Sequence, residues 1–97
     1  MAPEVFENKP YNEKADIYSF GVMLWEIICR KAPYANMTPY QIMYKVMKGG
    51  RPDETLIPQD APLELVKIMQ QCWDTQQEKR PSSAKISELL GNLYHKD

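Results

Sequence analysis

The 97-residue sequence predicts an all-α fold, and three observations support this prediction. Several segments repeat apolar residues at the spacing of an α-helix, and residues that start or stop helices bound them. No segment shows a convincing alternation of apolar and polar residues, which would mark a half-buried strand. One segment, residues 14–30, is apolar on every side when it is drawn as a helix, so we expect it to be the buried centre of the fold.

The first residues, MAPEVFENKPY, contain proline but no sustained period. We predict a turn or a short helix with Pro3 at its first position, because the fixed φ of proline suits the start of a helix. Asn12 is the expected N-cap of the central helix, since its side-chain oxygen can accept a hydrogen bond from a free backbone N–H group.

The central helix, KADIYSFGVMLWEIICR, is too short and too interrupted to span a membrane, which takes about 20 apolar residues. A helix without a polar stripe should be covered on all sides, and Trp25 is therefore expected in the core. Asp16 is the exception. If it faces the interior it needs a specific partner, whereas in an open first turn the helix dipole alone would stabilise it by about 0.3–1 kcal/mol.

A further helix is predicted from Thr38 to Lys48. Thr38 can cap it, and Gln41 can complete a capping box. The glycine pair at positions 49 and 50 should end this helix rather than cradle a phosphate, because no strand precedes it and no Lys-Ser or Lys-Thr follows. The apolar face of the helix is expected to contain Ile42, Met43, Val46 and Met47.

Two more helices are predicted after an irregular stretch at residues 51–60. The first covers residues 62–73, and Trp73 at its end is expected in the core. Pro81 opens the second. Its apolar stripe consists of Ile86, Leu89, Leu90 and Leu93.

Charge and cysteine content argue against several classes of function. Twelve Lys and Arg residues balance thirteen Asp and Glu residues, so the sequence gives no footprint for nucleic acid or for an anionic membrane. Cys29 and Cys72 lie among apolar residues and are not spaced as metal ligands, which is typical of small core residues in a reducing compartment. With no secretory signal at the start of the sequence, we expect a cytoplasmic, intracellular location.

Short strings in the sequence occur in an order known from one protein family. They are Ala2-Pro3-Glu4, Asp16-Ile17-Tyr18-Ser19-Phe20-Gly21, Leu24-Trp25-Glu26, Pro33-Tyr34, Cys72-Trp73 and Arg80-Pro81. Together they resemble the C-terminal part of a eukaryotic protein kinase domain, so that residues 1–97 would run from the Ala-Pro-Glu motif to the last helix. The amino-acid sequence of these motifs is most similar to that of the tyrosine-kinase-like group, whose members mostly phosphorylate Ser and Thr. Tyrosine kinases are the next most similar group. The resemblance implies the helical C-lobe subdomain, about four main helices around one buried central helix.

The resemblance implies structural roles for individual residues. In kinases the glutamate of Ala-Pro-Glu pairs with an arginine shortly before the last helix, and Glu4 and Arg80 match these positions. Without the motif, both would be interpreted as solvated surface charges. Asp16 matches an aspartate that holds backbone N–H groups of the catalytic loop. Met23 and Ile27 match apolar positions that support the column of side chains beneath the nucleotide, although ordinary core packing predicts much the same contacts.

The motifs that carry phosphoryl transfer do not occur in these 97 residues. Kinases use a glycine-rich cover for the phosphates, a lysine that reaches them, a catalytic aspartate and metal-binding Asp and Asn residues. The sequence contains no Gly-x-Gly and no Asp-Phe-Gly, and its single histidine, His95, is expected in a solvated tail. ATP and Mg²⁺ are implied for the parent kinase. We expect this chain alone to contain no catalytic, nucleotide-binding or metal-binding residue and to be inactive.

Three interpretations remain open. The chain is part of a parent kinase, and the missing N-terminal part of the kinase domain is its main partner. Alternatively, it is a stand-alone helical module, derived from a kinase C-lobe, that binds protein substrates or regulators through the helix from Thr38 to Lys48. Thirdly, it is a remnant or a split-gene product. By itself the chain should expose the apolar surface that would meet the catalytic loop and the activation segment, and so be marginally stable or molten.

Overall fold

A computed structural model of the chain describes residues 2–6 and 13–94. Within these residues the fold is helical and contains no strand, which confirms the predicted class. The helices are α1 (Pro3–Phe6), α2 (Lys14–Cys29), α3 (Pro39–Met47), α4 (Leu63–Cys72) and α5 (Ser83–Tyr94). Two 3₁₀ turns, Glu54–Leu56 and Gln77–Lys79, lie in stretches for which the sequence predicts no helix. Asn12 and His95 fall outside the described residues.

Helices α2 and α4 form the centre of the fold, and a glycine allows their close approach. A Cβ atom at Gly21 would lie 2.8 Å from the Cβ of Cys72 and 3.0 Å from the carbonyl oxygen of Met69. Only a residue without a side chain therefore fits at this crossing. Trp25 and Trp73 are both buried in the core, as the sequence predicts.

Helix α2 ends without a glycine. Arg30 adopts the left-handed conformation at φ 56°, and its N–H donates to the carbonyl oxygen of Glu26 over 2.8 Å. This is the geometry that glycine usually provides at the end of a helix. The chain then turns through Pro33 and Tyr34 towards α3.

Helix α3 begins and ends as its sequence predicts. The Thr38 hydroxyl accepts from the Gln41 N–H over 3.2 Å, and the Gln41 side chain accepts from the Thr38 N–H over 2.9 Å. Gly49 has a φ of 91°, a conformation that most other residues avoid, and so terminates the helix. Val46 is buried, but Met47 is exposed, so the buried face of α3 is narrower than predicted.

The prediction that α2 is covered on every side is wrong for the described residues. Asp16, Ser19, Met23, Glu26 and Ile27 are exposed, with Met23 at 47% and Ile27 at 62% of full exposure. Successive turns contribute Asp16, Ser19, Met23 and the neighbouring pair Glu26 and Ile27, each three or four positions from the turn before, so these residues share one face of the helix. Helix α4 and the second 3₁₀ turn pack against the opposite side of α2, while α1 contacts α3 and α5 contacts α4. We call the exposed residues the open face of α2.

Candidate functional site

The first and last thirds of the chain meet at a buried ion pair. Nη1 of Arg80 donates to Oε2 of Glu4 over 2.7 Å, and Nη2 donates to Oε1 over 2.9 Å. Arg80 is 1% exposed and Glu4 is 6% exposed. The sequence positions match the pair implied by the kinase resemblance, and the bidentate geometry is the one in which guanidinium and carboxylate bind most strongly.

Backbone carbonyl groups occupy the other donors of the Arg80 guanidinium. Nε donates to the carbonyl oxygen of Asp74 over 2.9 Å, and Nη1 also donates to that of Lys14 over 2.9 Å. The Lys14 ammonium in turn donates to the carbonyl oxygen of Arg80. One side chain therefore connects α1, the start of α2 and the turn before α5. The hydrogen bonds from Arg80 are also the main reason why the pKa of Glu4 is lowered.

Arg80 and a second arginine, Arg51, both lie against the aromatic ring of Tyr18, and sequence reasoning missed Arg51. The guanidinium carbons of Arg51 and Arg80 are 5.1 Å and 5.0 Å from the ring centroid of Tyr18. Both distances are within the range of a cation–π interaction. Arg51 is held in place by the carbonyl oxygen of Trp73 and the hydroxyl of Thr75, each at 2.9 Å. Burial raises the pKa of Tyr18, so its phenol stays neutral beside the two cations.

The open face of α2 is the second candidate site. The exposed position of Asp16 agrees with an open first turn and not with a buried charge. The element that would cover it in the kinase resemblance, the catalytic loop, has no counterpart in this sequence. Met23 and Ile27 are exposed apolar side chains on the same face, about one and two helical turns after Ser19. This face can therefore offer two carboxylates, those of Asp16 and Glu26, and an apolar strip to a covering element.

The described part of the chain gives no sign of a metal site or a membrane span. Among residues 2–6 and 13–94, no three His, Cys, Asp or Glu side chains are grouped so that they could hold a metal ion. None of the helices in these ranges has the length and the apolar character needed to cross a bilayer.

Comparisons with known proteins identify the family. The family model for protein tyrosine and serine/threonine kinases matches residues 1–90. A probable LIM domain-containing serine/threonine-protein kinase of Dictyostelium discoideum is 44% identical over 96% of this chain, which spans 9% of that relative. An Arabidopsis thaliana serine/threonine-protein kinase is 39% identical over 96% of the chain and 16% of its own length. A putative mitogen-activated protein kinase kinase kinase 7-like protein of Drosophila melanogaster is 38% identical over 97% of the chain and 25% of its own length.

These matches agree with the order of motifs and with the helical architecture. The chain corresponds to only a small part of each relative, and that part is one segment of the kinase domain. The chain is a kinase-domain fragment and belongs to the protein tyrosine and serine/threonine kinase family.

Proposed function

We propose that this chain is the structural base of the catalytic domain of a protein kinase that phosphorylates serine or threonine. The open face of α2 is the observation that carries the proposal. It exposes Asp16, Met23 and Ile27 on a helix whose other side is packed in the core. Exposed apolar surface on a core helix indicates that another element covers it.

Three residues of the open face and the buried ion pair have a stated role in this proposal. Asp16 accepts hydrogen bonds from backbone N–H groups of the catalytic loop, where a carboxylate is well suited to bind several donors at once. Met23 and Ile27 support the side chains beneath the nucleotide. Glu4 and Arg80 hold α1, and with it the end of the activation segment, against the helical core.

ATP and Mg²⁺ belong to the parent kinase in this proposal. The 97 residues contain neither the glycine-rich cover nor the Asp-Phe-Gly that bind phosphates and metal in kinases. We therefore assign no residue of this chain to the nucleotide or to the metal. The chain by itself is expected to transfer no phosphate. A cytoplasmic location of the parent is in keeping with the free thiols of Cys29 and Cys72.

A segment exchange tests the proposal. The matching segment of the Arabidopsis thaliana relative, 39% identical, is replaced by this chain, and transfer of phosphate from ATP to a protein substrate is measured. We expect the chimaera to remain active. Asp16→Ala should lower its rate by about 100-fold, because a small displacement of catalytic groups has effects of this size. Glu64→Ala, an exposed carboxylate on α4, is the matched control and should leave the rate unchanged. An Asp16→Ala chimaera that transfers phosphate as fast as the unmodified chimaera would contradict the role of the open face.

A binding role for α3 is a second candidate function. It is favoured by the exposure of large aromatic side chains on this helix. In this proposal, protein substrates or regulators of the parent kinase bind to the helix from Thr38 to Lys48. The same surface would serve a stand-alone module.

A further inference from the structure

Helix α3 has an aromatic face that no described element covers. Tyr40 and Tyr44 are 79% and 67% exposed, and Met47 is also exposed. These residues lie at positions i, i+4 and i+7, so they form one continuous strip along a helix of nine residues. We call Tyr40, Tyr44 and Met47 the aromatic strip of α3. Exposed apolar strips of this kind mark interaction sites more often than single exposed residues do.

A shallow groove runs beside this strip. It is lined by Asn36, Met37, Tyr40, Gln41, Tyr44 and Lys45. A second recess adjoins it and shares Met37 and Lys45 with the groove. The second recess also contains Trp25, Lys31, Tyr34 and Asp53. The two concave surfaces together can accommodate side chains of an extended or helical segment, which a flat surface could not.

Lysine side chains give this surface a positive charge. The ammonium of Lys45 is 5.6 Å from the ring centroid of Tyr34, and that of Lys48 is 5.5 Å from the centroid of Tyr44. The stem of Lys45 packs against Gly50 so closely that a Cβ atom there would lie 2.3 Å from its Cγ. Lys45 is therefore held at the junction of the two recesses rather than free to move in solvent. Lys31 adds a third cation.

Among the residues that line the two recesses, the acidic one is Asp53, and its carboxylate is already engaged. It accepts from the N–H of Thr55 over 2.9 Å and from the hydroxyl of Thr55 over 2.6 Å. These hydrogen bonds lower the pKa of Asp53. Asp53 therefore stays ionised and offsets part of the positive charge, that of Lys45 included. One carboxylate faces three lysines, and α3 itself contains no acidic residue, so this surface keeps an excess of positive charge.

We infer that the aromatic strip of α3 and its lysines bind an acidic protein segment that carries aliphatic or aromatic anchor residues. The anchors lie against Tyr40, Tyr44 and Met47, and the carboxylates meet Lys45, Lys48 and Lys31. The positive charge of the lysines favours an acidic peptide over a basic one. The recesses favour a peptide over a lipid surface, because a membrane offers no side chains to fill them. The inference deepens the binding role proposed for α3 and rests on it.

Selection from a peptide library tests the inference. A displayed library of random twelve-residue peptides is selected on the 97-residue chain, with sucrose added because excluded solutes favour the compact state. The library is counter-selected on the Tyr40→Ala/Tyr44→Ala variant. Both tyrosines are exposed, so this variant should keep its fold, and near-ultraviolet dichroism checks that it does. We expect enrichment of Asp and Glu around aliphatic or aromatic residues. No enrichment, or enrichment of basic peptides, would overturn the inference.

Titration of an enriched peptide gives the magnitudes. Tyr40→Ala/Tyr44→Ala should weaken binding by about tenfold or more, as expected for aromatic anchors. Lys45→Gln/Lys48→Gln should weaken it about three- to tenfold at low salt, and added salt should reduce the difference. Leu63→Ala/Lys67→Gln removes an exposed apolar side chain and an exposed lysine from α4, and should change affinity by less than about twofold. Equal losses in all three variants would overturn the inference.

Two further measurements separate other occupants. If the chain associates with itself and the tyrosine variant does not, the occupant of the α3 surface is a second copy of the chain, and the inference is overturned. If the chain binds vesicles of mixed neutral and anionic lipid more strongly than the peptides, the occupant is a membrane, and the inference is likewise overturned. Neither result affects the segment exchange, because that experiment compares the parent chimaera with its Asp16→Ala and Glu64→Ala variants, all of which keep the α3 surface unchanged. Failure of the α3 inference is therefore distinguishable from failure of the kinase proposal.

Discussion

Replacement of Arg80 by methionine is the sharpest test of how α1 is joined to the helical core. The change removes both hydrogen bonds to Glu4 and those to the carbonyl groups of Lys14 and Asp74. The Glu4 carboxylate would remain buried without its cation. Loss of one partner from a buried ion pair costs about 3–5 kcal/mol. Complete globular domains are stable by about 5–15 kcal/mol, and this chain is expected at the low end or below because its open face is uncovered, so the variant should lose most of its stability.

Urea unfolding followed by the fluorescence of the buried Trp25 and Trp73 provides the assay. Sucrose is added throughout to favour the folded state of every variant. With a slope of about 1.5 kcal/mol per molar urea, the midpoint of Arg80→Met should fall by about 2–3 M, or the transition should vanish. Arg80→Lys should recover only part of the loss, because an ammonium cannot reproduce the planar fork that binds both carboxylate oxygens.

An exposed ion pair on α5 supplies the matched control. Lys85 and Glu88 are 3.7 Å apart, and both side chains are exposed. Lys85→Met should therefore change the free energy of unfolding by less than about 0.5 kcal/mol. If Arg80→Met and Lys85→Met shifted the midpoint equally, the argument that burial makes the Glu4–Arg80 pair important would be refuted.

The other predictions concern helix packing, the open face of α2 and acid stability. Gly21→Ala should destabilise the chain by about 1–3 kcal/mol because its Cβ would clash with α4, whereas Gly91→Ala, with nothing within 4 Å, should stabilise it by about 0.4–1 kcal/mol. Effects of the same sign in urea unfolding would contradict this. Met23→Ser/Ile27→Ser should reduce binding of a hydrophobic dye with a change in stability below about 0.5 kcal/mol, and undiminished dye binding would count against an apolar open face. Because the lowered pKa of Glu4 means that the folded chain binds fewer protons, stability should fall as pH drops from the ordinary value of 4.5 through the lowered folded pKa. Glu4→Gln should flatten the profile in that window, and parallel profiles would contradict the prediction.

Local signals in the sequence predicted the features that depend on neighbouring residues. The capping box of α3 and the helix-ending Gly49 follow from residue types within a few positions, because caps and positive φ values are local requirements. The left-handed end of α2 at Arg30 was missed, since a glycine usually occupies such a position. The exposure of Met47 was also missed, because helical spacing alone does not give the width of the buried face.

Contacts between distant residues could not be obtained from local patterns. Arg51 lies 22 positions before Trp73, whose carbonyl oxygen binds it, and nothing in the spacing indicates that it would lie against Tyr18. The positions of Glu4 and Arg80 were identified only through the kinase motifs, since the two residues are 76 positions apart. Helical periodicity did not predict the open face of α2, because Met23 and Ile27 are apolar, as core residues are. The kinase resemblance did predict exposed apolar surface, because it implies a covering catalytic loop that this sequence does not contain.

Thiol accessibility at the open face tests the central claim most directly. Ile27→Cys is introduced into the 97-residue chain and into the chimaeric kinase, and alkylation is followed by mass spectrometry at neutral pH. Cys29 and Cys72 should not interfere, because both are buried and burial raises the pKa of each thiol, that of Cys72 to about 11. If the rest of a kinase domain covers this face, the new thiol should react readily in the chain alone and at least about tenfold more slowly in the chimaera. Equal rates in both would contradict the claim that the open face of α2 is the surface on which a catalytic domain is built.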